Sequence, residues 1–221
     1  MDINTIYSII QFISNKNQSG YITPDEFNNA FNLAQKQYFH QLLEDIQGWD
    51  ANRKRIRLPM GNAQQAIQKV APFIVALSVA VPGTGQYAKP ADLVNILAIR
   101  NSDNSKRVWR VEHDRVWSHI SSVIDPPSES PIYTEYDTDY QLYPVTIGTI
   151  NVEYLKLPPD AIWAYDLVSG RPVYNQVNST DPLWQDTEIS DIIIRVLFMF
   201  GISIQASQLV QYYGSVKSDG Q

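Results

Sequence analysis

The chain contains no cysteine. Disulfides, thiolate metal sites and cysteine nucleophiles are therefore excluded. Long apolar runs are missing too. The two longest, residues 70–81 and 192–204, fall short of the ~20 residues a membrane helix needs, and Arg195 interrupts the second. No secretion signal is expected, because Met1-Asp2 lacks a basic region and the first helical pattern is amphipathic. Together these absences predict a soluble protein made in a reducing cytoplasm, with no membrane partner. Neither a G-x-S-x-G elbow nor a Walker A loop is present. Aromatics and proline, by contrast, are plentiful: thirteen Tyr, five Trp and thirteen Pro. That composition suits a loop-rich, aromatic-packed protein more than a plain helical bundle. With 44% hydrophobic residues in 221, the chain can bury a core as one large domain or two small ones.

Charge is unevenly placed. Residues 1–110 hold twelve Lys/Arg and eight Asp/Glu, a balance of +4. Residues 111–221 hold five and fifteen, a balance of −10. A bipolar subunit can set its basic part against the acidic part of a copy or partner. The only basic cluster is Arg53, Lys54, Arg55 and Arg57. It could touch phosphate, but it has no interleaved aromatics, so a solvated or inter-subunit role is the better reading.

Helical signals lie at both ends. Ile3, Ile6, Tyr7, Ile10 and Ile13 fall at helical spacing over residues 1–15, with Asp2 as N-cap. Thr23-Pro-Asp-Glu26 is a capping box with proline at the first helical position. The helix it opens should run over 24–46, with Phe27, Phe31, Ala34, Tyr38, Leu42 and Ile46 on its buried stripe. A short helix is expected over 63–69, ended by Pro72. Another is expected over 113–121, and a last, largely apolar one over 186–207. Strand signals fill the middle. Residues 74–81, 93–100 and 107–111 read as a three-stranded meander. Residues 132–135, 140–143 and 149–157 read as three short strands. Gln208-Leu-Val-Gln-Tyr-Tyr213 carries aromatics outside any core pattern, so Tyr212 and Tyr213 are candidate interface residues.

Few motifs point to chemistry. Residues 15–26 have the oxygen spacing of an EF-hand loop: Asn15, Asn17, Ser19, the Tyr21 carbonyl, Thr23 and Glu26, with Gly20 in place. Only Glu26 among these is anionic, so a helical corner built on Gly20 and the capping box is the preferred reading. Gly83-Thr-Gly85-Gln-Tyr-Ala88 matches a relaxed dinucleotide pattern, but Lys89-Pro90 stops the helix it would need, leaving a hairpin or loop. His40, His113 and His119 share no metal-ligand spacing. Glu135, Asp137 and Asp139 read as a solvated acidic edge rather than an acid–base pair. No catalytic, cofactor or metal residue is expected.

One combination is more specific. Asn151-Val-Glu-Tyr-Leu-Lys-Leu-Pro-Pro-Asp160 is followed by Trp163, then Gly170-Arg-Pro-Val-Tyr174, then Asp181-Pro-Leu-Trp184 and the terminal helix. This order resembles the C-terminal part of head–tail connector proteins of tailed bacteriophages, especially crAss-like phages. Ser19-Gly-Tyr-Ile-Thr-Pro-Asp-Glu-Phe-Asn28 is similar to their N-terminal segment, and Tyr87-Ala-Lys-Pro-Ala-Asp-Leu93 matches more loosely. The resemblance implies a virion structural protein with no catalytic residues. Its copies would form a ring, commonly dodecameric, docked between the portal protein and tail or neck proteins. Genomic DNA would pass through the channel without sequence-specific binding. The expected fold is α+β: a helical bundle with an N-terminal helical corner and a long C-terminal helix, plus a small antiparallel β part in the middle. The expected division is 1–70, helical; 71–157, mainly β; 158–207, aromatic turns and C-terminal helix of the same core; and 208–221, a tail. Two rivals remain open: a calcium-binding EF-hand-like module, and a tail-associated carbohydrate-active protein.

Overall fold

Isoleucines at helical spacing form α1, Ile3–Lys16, and bury Ile3, Ile6, Ile10 and Ile13 along one stripe. Asp2 caps it: the Thr5 N–H donates to Asp2 Oδ1 at 2.6 Å. The computed structural model describes residues 1–16, 20–53, 61–103, 105–120 and 130–202, with backbone alone for 47–53 and 61–63. Within these residues the chain divides into two compact units, one of 1–72 and 158–202, the other of 73–157.

The first unit is mainly helical. After α1 come α2, Pro24–Arg53, and α3, Gly61–Val70. Of the expected buried stripe of α2, Phe27, Phe31, Ala34, Tyr38 and Leu42 are buried and Ile46 is half-buried. The helix runs seven residues past the expected stop at Ile46, to Arg53. α2 packs against α3 and against the last helix of the chain, Asp186–Met199, which also meets α1. That last helix inserts Ile189, Ile192, Ile193, Val196 and Leu197, all fully buried. Each such side chain contributes roughly 1.5–3 kcal/mol of hydrophobic stabilisation. The helix was expected to reach 207 and stops at Met199 instead. Gly201 takes φ +76°, its N–H donates to the Phe198 carbonyl at 3.0 Å, and the Ile202 N–H donates to the Leu197 carbonyl at 2.9 Å. This is a Schellman stop, sealed by the buried Ile202.

The second unit is β-rich. Its elements are β1 (Ile74–Ala80), β2 (Gln86–Ala88), β3 (Leu93–Asn101), β4 (Trp109–Arg110), α4 (His113–Ile120), β5 (Ile132–Glu135), β6 (Asp139–Tyr143) and β7 (Thr149–Lys156). They form a three-stranded sheet in the order β1-β7-β3 and a four-stranded sheet in the order β2-β6-β5-β4. The core between them contains Tyr87, Ile99, Tyr133, Tyr140, Leu142, Ile150, Val152 and Tyr154. The expected meander does not form. β7 inserts between β1 and β3, antiparallel to both, and β4 leaves for the other sheet, where it pairs in parallel with β5. β7 takes the centre with Ile150, Val152 and Tyr154 buried on one face, while its other face carries Thr149, Asn151 and Glu153 beside the buried Leu155.

The remaining strands, β8 (Tyr165–Val168) and β9 (Arg171–Tyr174), make an antiparallel hairpin within the first unit. With the last helix, α5, the described residues thus hold five α-helices and nine strands in three sheets. This corrects the expected helical bundle with a small β part. The fold is mixed α+β with a substantial β part. Two features caused the error. The strands of 73–157 make up nearly a whole unit rather than an insertion. The aromatic turns expected at 165–174 are a hairpin, in which Ser169 and Gly170 have φ +52° and +78°, as a two-residue type I′ turn requires.

Candidate functional site

The N-terminal corner forms as a capping box. Glu26 Oε2 accepts from the Thr23 N–H at 2.9 Å and from the Thr23 hydroxyl at 2.8 Å, and Thr23 Oγ1 accepts in turn from the Glu26 N–H at 3.4 Å. These bonds, the backbone one first, hold the Glu26 carboxyl below the usual carboxylate range. The single anionic ligand of the EF-like spacing is thus engaged by the helix start. Asn17 and Ser19 lie outside the described residues, and Gly20 has the positive φ, +93°, expected of the corner.

Next to this corner α2 presents a polar row that the apolar stripe concealed. Asn32 Nδ2 donates to the Ala161 carbonyl at 2.9 Å, and Asn32 Oδ1 accepts from the Ala161 N–H at 2.9 Å. Asn28 repeats this two residues on, with Trp163, at 3.2 and 2.8 Å. Gln35 Nε2 donates to the Pro159 carbonyl at 3.0 Å, while Gln35 Oε1 accepts from Trp184 Nε1 at 3.3 Å. Residues 159–163 thus lie along α2 as an extended strand lies along a sheet edge, with side-chain amides in place of a backbone neighbour. Helical spacing i, i+4, i+7 brings three amides into one row, and alternate residues of an extended chain meet them. The double proline Pro158-Pro159 favours this extended path.

The clamp fixes Trp163, and Trp163 fixes an arm. Its indole is 4% exposed, donates Nε1–H to Asn4 Oδ1 at 3.0 Å and lies 4.4 Å from the Tyr7 ring. Tyr165 and Tyr174, opposite each other at the base of the β8–β9 hairpin, stack on it at 5.9 and 5.6 Å. Beyond this base the hairpin projects apolar side chains into solvent. Leu167 is 71% exposed, Val168 56% and Val173 48%. Leu167 and Pro172 face one way, Val168 and Val173 the other.

A polar groove of about 390 Å³ lies between α2, α3 and α5. Lys69 Nζ donates to Tyr38 Oη at 3.1 Å, and Tyr38 Oη donates to Asp191 Oδ2 at 3.3 Å. Lys69 also faces the buried Glu188 at 3.8 Å. Arg195 lies over the Tyr38 ring and hydrogen-bonds Gln41. Burial pushes the Tyr38 phenol up, and the hydrogen bond to Tyr38 pushes the Lys69 ammonium up. Both groups therefore stay protonated through the neutral range, which suits neither a general base nor an amine nucleophile. The cluster ties three helices together.

The other sequence candidates fall elsewhere. Glu135 is engaged, not merely solvated: Lys89 and Arg110 each bind one of its oxygens at 2.9 Å, and Asp137 and Asp139 share neither contact. Gly83-Thr84 forms a turn and Gly85 leads into β2, as expected for a hairpin or loop. His40 stands on α2, and His113 and His119 on α4. Among the described residues no three His, Asp or Glu side chains group as a metal site, and no helix is long and apolar enough to cross a membrane. Of the expected interface residues, Arg53 is the last residue of α2, with its side chain undescribed, and Lys54, Arg55, Arg57, Tyr212 and Tyr213 lie outside the described residues. The amide row and the Tyr38–Lys69 cluster were both missed. Asn28, Asn32 and Gln35 beside the Phe27/Phe31 stripe were the available signal for the row. Nothing in the sequence joins Lys69 to Glu188 before the helices are packed. No protein-family model matches the chain, and no curated protein is similar to it.

Proposed function

We propose that the chain is a structural subunit of a homo-oligomeric ring, of the head–tail connector kind that its sequence resembles, docked between portal and tail around the DNA channel. The observation that carries this reading is the β8–β9 arm. An isolated two-stranded hairpin is marginal in water. This one is stacked at its base on Trp163, yet exposes Leu167, Val168 and Val173. A firmly anchored arm with an apolar end is expected of a subunit that inserts it into a neighbour. The arm also carries the Gly170-Arg-Pro-Val-Tyr174 motif on which the resemblance partly rests. The −10 balance of residues 111–221 fits a channel that denies DNA phosphate contacts and lets it slide.

The arm is testable by itself. Leu167→Asp with Val173→Asp alters two exposed side chains, so the melting temperature of the subunit should change little. Ring formation, or docking onto portal, should drop at least about tenfold, equivalent to 1.4 kcal/mol or more of interface energy. Unchanged assembly of the double variant would remove the arm from the interface and with it the main support for this reading.

A further inference from the structure

We propose that the open edge of β1 accepts a strand from residues 207–213 of a second copy, so that neighbouring subunits are joined by strand addition. This rests on the ring reading above and names a contact within it.

The edge comes first. β1 is the outer strand of the sheet β1-β7-β3, bonded on one side only among the described residues. Its sequence is Ile74-Val-Ala-Leu-Ser-Val-Ala80, seven residues with no charge and no proline, in unbroken register with β7. Ile74 and Leu77 are 39% and 43% exposed. Natural proteins blunt such edges with lysine, proline, bulges or a covering segment. The other long edge of this sheet follows that rule. β3 has register shifts at Leu93/Asn95 and Ile96/Ala98. Part of its outer side is also occupied, by the Val108 N–H on the Ile99 carbonyl at 2.8 Å and the Asn101 N–H on the Lys106 carbonyl at 3.0 Å. In the hairpin, Pro172 removes an N–H from β9. β1 alone among these combines length, regular register and an apolar, uncharged sequence. A strand that keeps its free donors and acceptors so unguarded is suited to pair with another chain.

The occupant follows from the chain beyond α5. Nineteen residues, 203–221, follow Ile202 and lie outside the described residues. At about 3.3 Å per residue they can reach roughly 60 Å, enough to leave one subunit for the next. Within them Ser207-Gln-Leu-Val-Gln-Tyr-Tyr213 matches β1 in length, seven residues to seven, and is likewise uncharged. Val210, Tyr212 and Tyr213 are strand-preferring types. A contact in which one surface meets a different surface of the next copy is the head-to-tail kind that closes into rings.

The absence of cysteine makes the test clean. Leu77→Cys and Val210→Cys, the central positions of the two seven-residue segments, are made as separate single variants with tags of different mass, assembled together and oxidised. A disulfide between unlike chains is expected. Adding Ser78→Lys to the first variant should lower its yield at least about tenfold, since an edge lysine blocks strand addition. Amide exchange along β1 should be slow in the full chain and at least about tenfold faster in a chain ending at Ile202. Two outcomes overturn the proposal: no unlike pair, or unlike pairs whose yield the edge lysine leaves unchanged. Rings that persist after truncation at Ile202 with β1 exchange unchanged would sink strand addition and leave the ring reading standing. Unlike pairs in a protein that forms no ring would do the reverse.

Discussion

Gly85 is the residue on which the turn into β2 depends most. Its φ is +74°, and an added Cβ would lie 2.8 Å from the Leu142 carbonyl oxygen and 2.8 Å from Gln141 Nε2. The first of these is backbone, bonded in turn to its neighbours: the Leu142 N–H donates to the Gly85 carbonyl at 2.8 Å. Gly85→Ala should cost about 1–3 kcal/mol or more in urea unfolding. Gly83 has open space around its Cβ position and no positive φ. Gly83→Ala should therefore stay within about 0.5 kcal/mol of the parent. Equal losses at both glycines would contradict this account of the turn. The capping box gives a second prediction at the same scale. The Glu26 carboxyl is held below its ordinary value by the Thr23 N–H and hydroxyl. Its contribution is therefore full above the unfolded value, about 4.3, and is lost as pH falls below that through the folded value. The stability difference between the parent and Glu26→Gln should shrink as pH is lowered from neutral into that range. A difference that grows on acidification would be incompatible with the capping role. Thr23→Ala removes the other half of the box and should cost about 0.5–2 kcal/mol at neutral pH, with or without calcium.

At the scale of elements, the amide row decides whether residues 159–163 stay against α2. Asn32→Ala leaves the Ala161 N–H and carbonyl without their partner, and Ala161 is 1% exposed. Each orphaned buried group costs roughly 1–3 kcal/mol, so a loss of about 2–4 kcal/mol is expected in denaturant unfolding. Asn32→Asp keeps the acceptor and loses the donor, and should fall between the two. If Asn32→Ala is neutral, the row does not hold the segment. The sequence made many elements legible, because their signals are local. The Thr23–Glu26 box opens α2, isoleucine spacing draws α1, and β-branched runs mark β1, β3 and β7. What was not legible depends on partners distant in sequence. β7 takes the central place by pairing along one edge with β1 and along the other with β3, which sequence order alone would have paired with each other. The stop at Gly201 was hidden by an apolar pattern that continues into Ile202. The hairpin of β8 and β9 was hidden by Pro172 and by short length, and it becomes a hairpin through the stack on Trp163. Of the candidate site, the Trp163 and Gly170–Tyr174 motif was visible as a motif, but its role as base and arm needed the packed structure.

At the scale of the whole molecule, several features bear on the proposed assembly. The polar clusters of the helical unit are occupied in holding α2, α3 and α5 and the 159–163 segment together. Among the described residues, two exposed surfaces are both apolar and extended: the end of the arm and the edge of β1. An exposed apolar arm on a stacked aromatic base and an unguarded strand edge both favour association. Charge separation along the chain would guide the register of that association more than its strength. The central claim is that this chain is a ring subunit, and native mass spectrometry with negative-stain imaging of the purified full chain tests it most directly. The account predicts one closed stoichiometry, a dodecamer on the resemblance, seen as rings either alone or on addition of the cognate portal. A monomer that stays monomeric at high concentration and in the presence of that portal would contradict it.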